Sequence, residues 1–246
     1  MFLVGTNEAL LYVREDGVTT PIDSGKGSYT GVEKFFGKYY ISTNNDDSQV
    51  NSDILVLDKR LRMDSIEEPE NFCMDRIYDV KFWRGRLICT AGDFIAVFDG
   101  ENWERWQPLK QSFSSMAIMN DRLFVLANNS FVLEFDGVGE PTKNIHANIG
   151  VSCYNLITYD DDIYTLSTKE GTIRTTTGFV RDLGETDLRG LTFANDNFWI
   201  GTSRGAIIQY DNDFDKISEI ELDYKNINCI TAIGAKASNP QLRMLS

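Results

Sequence analysis

Six side chains in this sequence invite a chemical reading: Tyr78, Asp79, Tyr154, Asn155, Arg189 and Asn228. Asp79 and Asn155 offer hard oxygen donors and Asn228 offers a third, the ligand type that Ca²⁺ and Mg²⁺ prefer. A catalytic site for either ion commonly needs more oxygen ligands, several of them carboxylates, so the set falls short of a metal centre. Tyr29, Tyr78 and Tyr154 are the aromatic groups best placed for recognition. Glu33 and Lys81 hold equivalent positions in neighbouring repeats and read as an ion pair rather than as ligands. His146, on a segment read as an inter-blade loop, is the only histidine, which argues against a Ser-His-Asp or Cys-His arrangement. No G-x-x-x-x-G-K-[ST] or G-x-G-x-x-G phosphate loop is present. The run Asp160-Asp161-Asp162 lacks the ligand spacing of a calcium loop and reads as turn chemistry, and the insertion 44–52 reads as a solvated loop.

What must position these residues is a repeat. Segments 31–43, 79–91, 115–127, 155–167 and 190–202 share one pattern: an apolar strand, a two-residue turn, then a second strand usually ending in small or polar residues. A sixth copy begins at 229–236 and stops, and its missing second strand is found at 1–6, at the other end of the chain. The turns fall at Phe36-Gly37, Arg84-Gly85, Asn120-Asp121, Asp160-Asp161, Asn195-Asp196 and Gly234-Ala235. Most of these pairs carry Gly, Asn or Asp, which tolerate the positive φ a two-residue hairpin requires. Third strands follow at 10–13, 54–57, 94–98, 131–135, 172–175 and 206–210, and short fourth strands at, for example, 102–106 and 216–220.

Four antiparallel strands recurring about every 40 residues predict an all-β chain folded as a six-bladed β-propeller. The ring is expected to close by pairing the N-terminal strands with the C-terminal strand, residues 1–23 sharing a blade with 227–233 and leaving 237–246 as a tail. The whole span 1–246 then reads as one domain. The first strand of each blade lines the channel, so its leading positions form two aligned sets. One set is Gly31, Asp79, Ser115, Asn155, Gly190 and Cys229; the other is Thr30, Tyr78, Ser114, Tyr154, Arg189 and Asn228. The expected channel is polar and water-filled, with Tyr78, Asp79, Tyr154, Asn155, Arg189 and Asn228 converging at its mouth. Trp83, Trp103, Trp106 and Trp199 fall on strands and are expected to pack between sheets.

Composition narrows the classes. A net charge of −13, with 24 basic residues spread among 37 acidic ones, argues against a nucleic-acid partner. No apolar run approaches the ~18 residues of a membrane helix, and the N-terminus lacks the pattern of a signal peptide. Cys73, Cys89, Cys153 and Cys229 lack C-x-x-C spacing and suit a reduced, cytoplasmic setting, or a virion if the chain is of phage origin.

The stretch Asn197-Phe198-Trp199-Ile200-Gly201-Thr202-Ser203-Arg204-Gly205 resembles the propeller repeats of two-component-regulator sensors, which read roughly "lWIGT-x-x-GG"; residues 1–6 and 38–43 are weaker copies. That resemblance implies a propeller fold and sensing or binding. In length the chain is also similar to the six-bladed gluconolactonase and regucalcin-like hydrolases, whose channel holds a divalent metal on Glu, Asn and Asp side chains. The glutamate those hydrolases bring from their first strand has no clear counterpart here. The expectation is a non-enzymatic binding propeller that recognises a protein or a small ligand at the channel mouth. One version is a structural subunit of a larger assembly such as a phage virion. The alternative is a metal-dependent lactonase-like hydrolase, and a channel Ca²⁺ or Mg²⁺ belongs to that alternative alone; no other cofactor is expected.

Overall fold

A computed structural model describes residues 1–24, 27–44, 53–66, 76–106, 110–128, 130–137 and 143–233. Among them all regular structure is strand, arranged as six four-stranded antiparallel sheets. The inner strands are Ser28–Phe35, Asp79–Trp83, Phe113–Met119, Cys153–Tyr159, Leu188–Ala194 and Cys229–Ala232, belonging to blades one to six in that order. Each packs on the inner strand of the next blade and the sixth packs on the first, which closes a propeller ring.

Local chemistry explains the hairpins. In the five described turns between inner and second strands, Phe36, Arg84, Asn120, Asp160 and Asn195 have φ of 44°, 50°, 51°, 49° and 52°, and the residue after each is also left-handed. Two consecutive positive φ values match the twist of the flanking strands. The sixth turn, 234–235, and the tail 237–246 lie outside the described residues, as do Cys73 and most of the insertion 44–52.

Packing follows the two-residue period of the strands. Six apolar clusters occupy the six interfaces between adjacent blades. In Phe2–Gly5, for example, Phe2 and Val4 face blade five while Leu3 faces blade one. Trp83, Trp106 and Trp199 are buried in such clusters, and Trp103 packs against one.

Blade six is assembled from both chain ends. Phe2–Gly5 pairs with Ala9–Val13 on one side and with Cys229–Ala232 on the other, in the register Phe2↔Ala232 to Gly5↔Cys229. Gly5 is required here because a Cβ would stand 2.5 Å from Cys229 Sγ and 2.8 Å from Tyr29 Cβ. With the ends paired, no blade presents an open inner face.

Candidate functional site

The inner strands build the channel mouth by one repeated device. A buried residue, Tyr29, Ile77, Phe113, Cys153, Leu188 or Ile227, anchors the start of each inner strand. The next residue, Thr30, Tyr78, Ser114, Tyr154, Arg189 or Asn228, lines the mouth. In four blades the ladder slips at this point, between Tyr29 and Gly31, Phe113 and Ser115, Tyr154 and Leu156, and Leu188 and Leu191. Such bulges insert a residue without a ladder partner and re-aim its neighbours, here at the axis.

The result is a cup of about 360 Å³. Tyr78 and Tyr154 keep 37% and 42% of their surface exposed, large values for aromatics inside a concavity. With one mouth residue per blade, Tyr78 and Tyr154 flank Ser114, and Arg189 lies between Tyr154 and Asn228. Arg76 also lines the cup, two residues before Tyr78 and so on the same side of an extended chain. Among the described residues, neither Arg76 nor Arg189 has an ion-pair partner, and no carboxylate lines the cup.

Other mouth residues serve as braces. Asn155, held at φ 54°, donates its amide to the carbonyls of Arg189 and, at 3.4 Å, Asn228, so one side chain ties blades four, five and six. Asn228 donates to Asn7 Oδ1 at 2.8 Å, and Thr30 donates across to the Ile77 carbonyl at 2.6 Å. Asn44 Oδ1 accepts the Ile77 N–H at 2.7 Å, which makes it a strand-end brace.

Below the mouth the channel narrows to a polar throat cavity of about 40 Å³, lined by Gly31, Asp79, Lys81, Ser115 and Cys229 among others. Asp79 therefore lies beneath the cup rather than in its wall. Its Oδ1 accepts from the Val80 N–H at 2.8 Å and Lys81 Nζ at 3.2 Å. Its Oδ2 accepts from Ser115 Oγ at 2.9 Å and the Met116 N–H at 2.8 Å. Ser115 Oγ in turn accepts the Leu156 N–H at 2.9 Å, so the carboxylate organises three blades. Lys81 Nζ also meets Glu33 Oε2 at 3.6 Å, the ion pair expected from the aligned repeats. Burial pushes the Glu33 carboxyl up to about 7, against the pull of Lys81 and with the help of Asp79. Although burial opposes the Lys81 charge, Asp79 and Glu33 together hold its pKa above the usual lysine range. Small residues let the wall close: a Cβ on Gly31 would stand 2.9 Å from Asp79 Cα.

Two further sequence expectations change. Tyr29 is fully buried and donates to Asp23 Oδ2 at 2.8 Å, so it is a core residue and not part of the recognition surface. His146 belongs to the outer strand Lys143–Asn148 rather than to a loop, with its Nδ1 2.8 Å from Oε2 of the buried Glu134. That strand has little apolar alternation, and its ladder to Phe131–Phe135 slips between Val132 and Glu134. Cys153 and Cys229 are buried thiols outside any disulfide, and burial raises them to about 11 and about 12. Among the described residues no three His, Cys, Asp or Glu side chains gather as a metal site, and no helix is long and apolar enough to cross a membrane.

Together these features define a six-bladed β-propeller with a narrow polar throat beneath a wider polar cup. Comparison with known protein families finds no match, and no curated protein sequence matches either. Solved structures share the fold at low identity. A chain of a nidogen/laminin complex superposes with a TM-score of 0.77 at 10% identity, covering 94% of this chain and 97% of that one. The WD40 propeller domain of Doa1 gives 0.64 at 13% identity over 97% and 93%. YCF48 bound to D1 peptide gives 0.53 at 15% identity over 85% and 73%.

Proposed function

We propose that this chain is a non-enzymatic recognition propeller that holds a protein segment or a small ligand in the cup at its channel mouth. The observation that carries the reading is the contrast between the two halves of the channel. The throat's polar groups are engaged with one another, whereas Tyr78, Tyr154 and Arg189 line an open concavity of about 360 Å³, the size range of ligand sites. A rigid ring that fixes several side chains from different blades suits binding, because little ordering cost remains to be met on association. Propellers of similar fold occur in a nidogen/laminin complex and in YCF48 bound to D1 peptide, which is compatible with a protein partner here. Sensing of the kind implied by the two-component-regulator resemblance, or service as a subunit of an assembly such as a virion, would use the same surface.

The lactonase-like alternative has weaker support, because an ammonium, Lys81 Nζ, stands between the two throat carboxylates where a divalent cation would have to sit. The test is selection of random hexapeptides against the protein and against the Tyr78→Ala/Tyr154→Ala double variant. Binders enriched by the first and lost on the second support the mouth as the working surface. Binders indifferent to both tyrosines overturn it.

A further inference from the structure

Resting on the mouth as the binding surface, we infer that the group it reads is a carboxylate of a peptide ligand, gripped by Arg189 with Arg76 as a second cation. The chain as a whole is acidic, at −13, yet the charged side chains that line the cup are Arg76 and Arg189, with no carboxylate among the described lining residues. Most described arginines elsewhere are answered, Arg60 and Arg86 excepted: Arg84 meets Asp121 and Asp136, Arg122 meets Glu134, and Arg204 meets Glu185 and Glu219. At the mouth, among the described residues, Arg76 and Arg189 have no such partner. A guanidinium presents its donors as a planar fork that matches a carboxylate with two parallel hydrogen bonds.

The backbone beneath Arg189 is fixed independently of its side chain, since its carbonyl accepts the Asn155 amide and Leu188 before it is buried. The side chain is thus offered from a rigid base with no structural duty of its own. Around it the cup supplies neutral groups: the phenols of Tyr78 and Tyr154 and the hydroxyl of Ser114. That is a setting for one negative charge. Phosphate-type dianions are usually met by clustered cations or by helix N-termini, and the described chain has no helix. The self-field of an acidic protein also penalises a dianion more than a monoanion.

Shape selects how the carboxylate arrives. The throat below is reduced to about 40 Å³, so a peptide cannot thread the channel and must insert an end or a side chain into the cup. The exposed faces of Tyr78 and Tyr154 then cover the adjoining residue.

The experiment takes hexapeptides with free C-termini selected on the wild-type chain and measures each as the free acid, as the C-terminal amide, and with Asp or Glu replaced by Asn or Gln. Titrations are run on the wild type, Arg189→Gln, Arg189→Lys and Arg76→Gln. The expected result is that every tyrosine-dependent binder carries a required carboxylate. Arg189→Gln should then weaken binding about ten- to a hundred-fold, the size of a lost charge-assisted contact. Arg189→Lys should recover part of that loss, Arg76→Gln should cost less, and added salt should weaken the wild type more than Arg189→Gln. Loss on amidation assigns the carboxylate to the chain terminus, and loss on the Asn or Gln exchange assigns it to a side chain; either supports the inference. Binders that need Tyr78 and Tyr154 but tolerate both neutralisations and Arg189→Gln overturn the carboxylate while leaving the mouth in place. Binders indifferent to the tyrosines overturn both.

Discussion

Replacing Asp79 by Asn keeps shape and volume but should be among the most damaging single changes in the throat. All four partners of this carboxylate are donors: the Val80 N–H and Lys81 Nζ on Oδ1, Ser115 Oγ and the Met116 N–H on Oδ2. An amide has one oxygen and one NH₂ group. If the NH₂ takes the Oδ2 position it confronts the Met116 N–H, and if it takes the Oδ1 position it confronts the Val80 N–H and an ammonium. Neither flip escapes. The Ser115 hydroxyl could rotate to accept the amide alongside the Leu156 N–H, but the Met116 N–H would still have no acceptor.

The cost can be bounded from these contacts. One buried donor left without an acceptor costs about 1–3 kcal/mol, and hydrogen bonds to a charged group that become neutral lose a further ~1 kcal/mol or more. Removing one partner of a buried ion pair costs about 3–5 kcal/mol, reduced here because Glu33 remains 3.6 Å from Lys81. A net destabilisation of about 4 kcal/mol follows, which lowers the melting temperature by roughly 8–16 °C for a chain of this size. Urea unfolding followed by tryptophan fluorescence and by circular dichroism, with reversibility checked, is the assay. A change below about 0.5 kcal/mol, the range of an ordinary surface substitution, would refute the idea that Asp79 organises the throat.

The second carboxylate of the same cluster should behave in the opposite sense. Glu33 has its native pKa raised from 4.5 to about 7, so the folded state holds its proton more tightly than the unfolded chain, and the stability this gives is full below pH 4.5 and lost as pH rises through about 7. Glu33→Gln should therefore flatten that decline and stabilise the protein at pH 8 by up to about 3 kcal/mol; a variant whose pH-stability profile parallels the wild type counts against it. Deleting residues 1–6 removes Phe2, Leu3 and Val4, each at most 1% exposed, at a cost of about 5–9 kcal/mol, and should abolish cooperative unfolding; equal stability of the shortened chain would contradict ring closure. Asn155→Ala should cost more than Asn155→Gly, because both lose the amide brace while only alanine keeps a Cβ at φ 54°; the reverse order in thermal melts would show the strut to be misjudged. Ca²⁺, Mg²⁺ and EDTA should leave the melting temperature unchanged, since a native-state site at a hundred-fold excess over Kd adds about 2.7 kcal/mol; a clear upward shift would favour the hydrolase.

Sequence periodicity carried the ring a long way. The Asn-Asp, Asp-Asp and X-Gly pairs marked the hairpins because few other residues accept two left-handed positions in succession, and those φ values are present. Aligning the segments also placed one cup-lining residue on each blade, Thr30, Tyr78, Ser114, Tyr154, Arg189 and Asn228. What it could not resolve was depth. Tyr29 and Tyr154 each stand just before the slip in their ladders, yet Tyr29 falls one position earlier in the repeat, beside the Thr30 that aligns with Tyr154. A shift of one residue reverses the side of a strand, so one tyrosine is core and the other exposed. Asp79 was misjudged in depth for a related reason: its engagement depends on Ser115 and Met116 in the next blade, about 36 residues away, and pattern alone does not record which blade supplies the donors. Arg76 carries a signal in its two-residue spacing from Tyr78, but it lies before the repeat that marks the other mouth residues.

The same facts separate two kinds of polar residue that look alike in the sequence. Asn155, Thr30 and Asp79 spend their hydrogen-bonding capacity on neighbouring blades, and Asn228 spends its own on Asn7 within blade six. Tyr78, Tyr154, Arg76 and Arg189 line the same funnel with their side chains turned to its open space. Because the braces fix the backbone on which the second set stands, those four positions can change identity at little cost to the fold. Cup-facing residues and ring braces are therefore interleaved one position apart: Tyr78 beside Asp79, and Tyr154 beside Asn155. The scaffold can therefore stay constant while the side chains at the cup, each next to a strut, change around it.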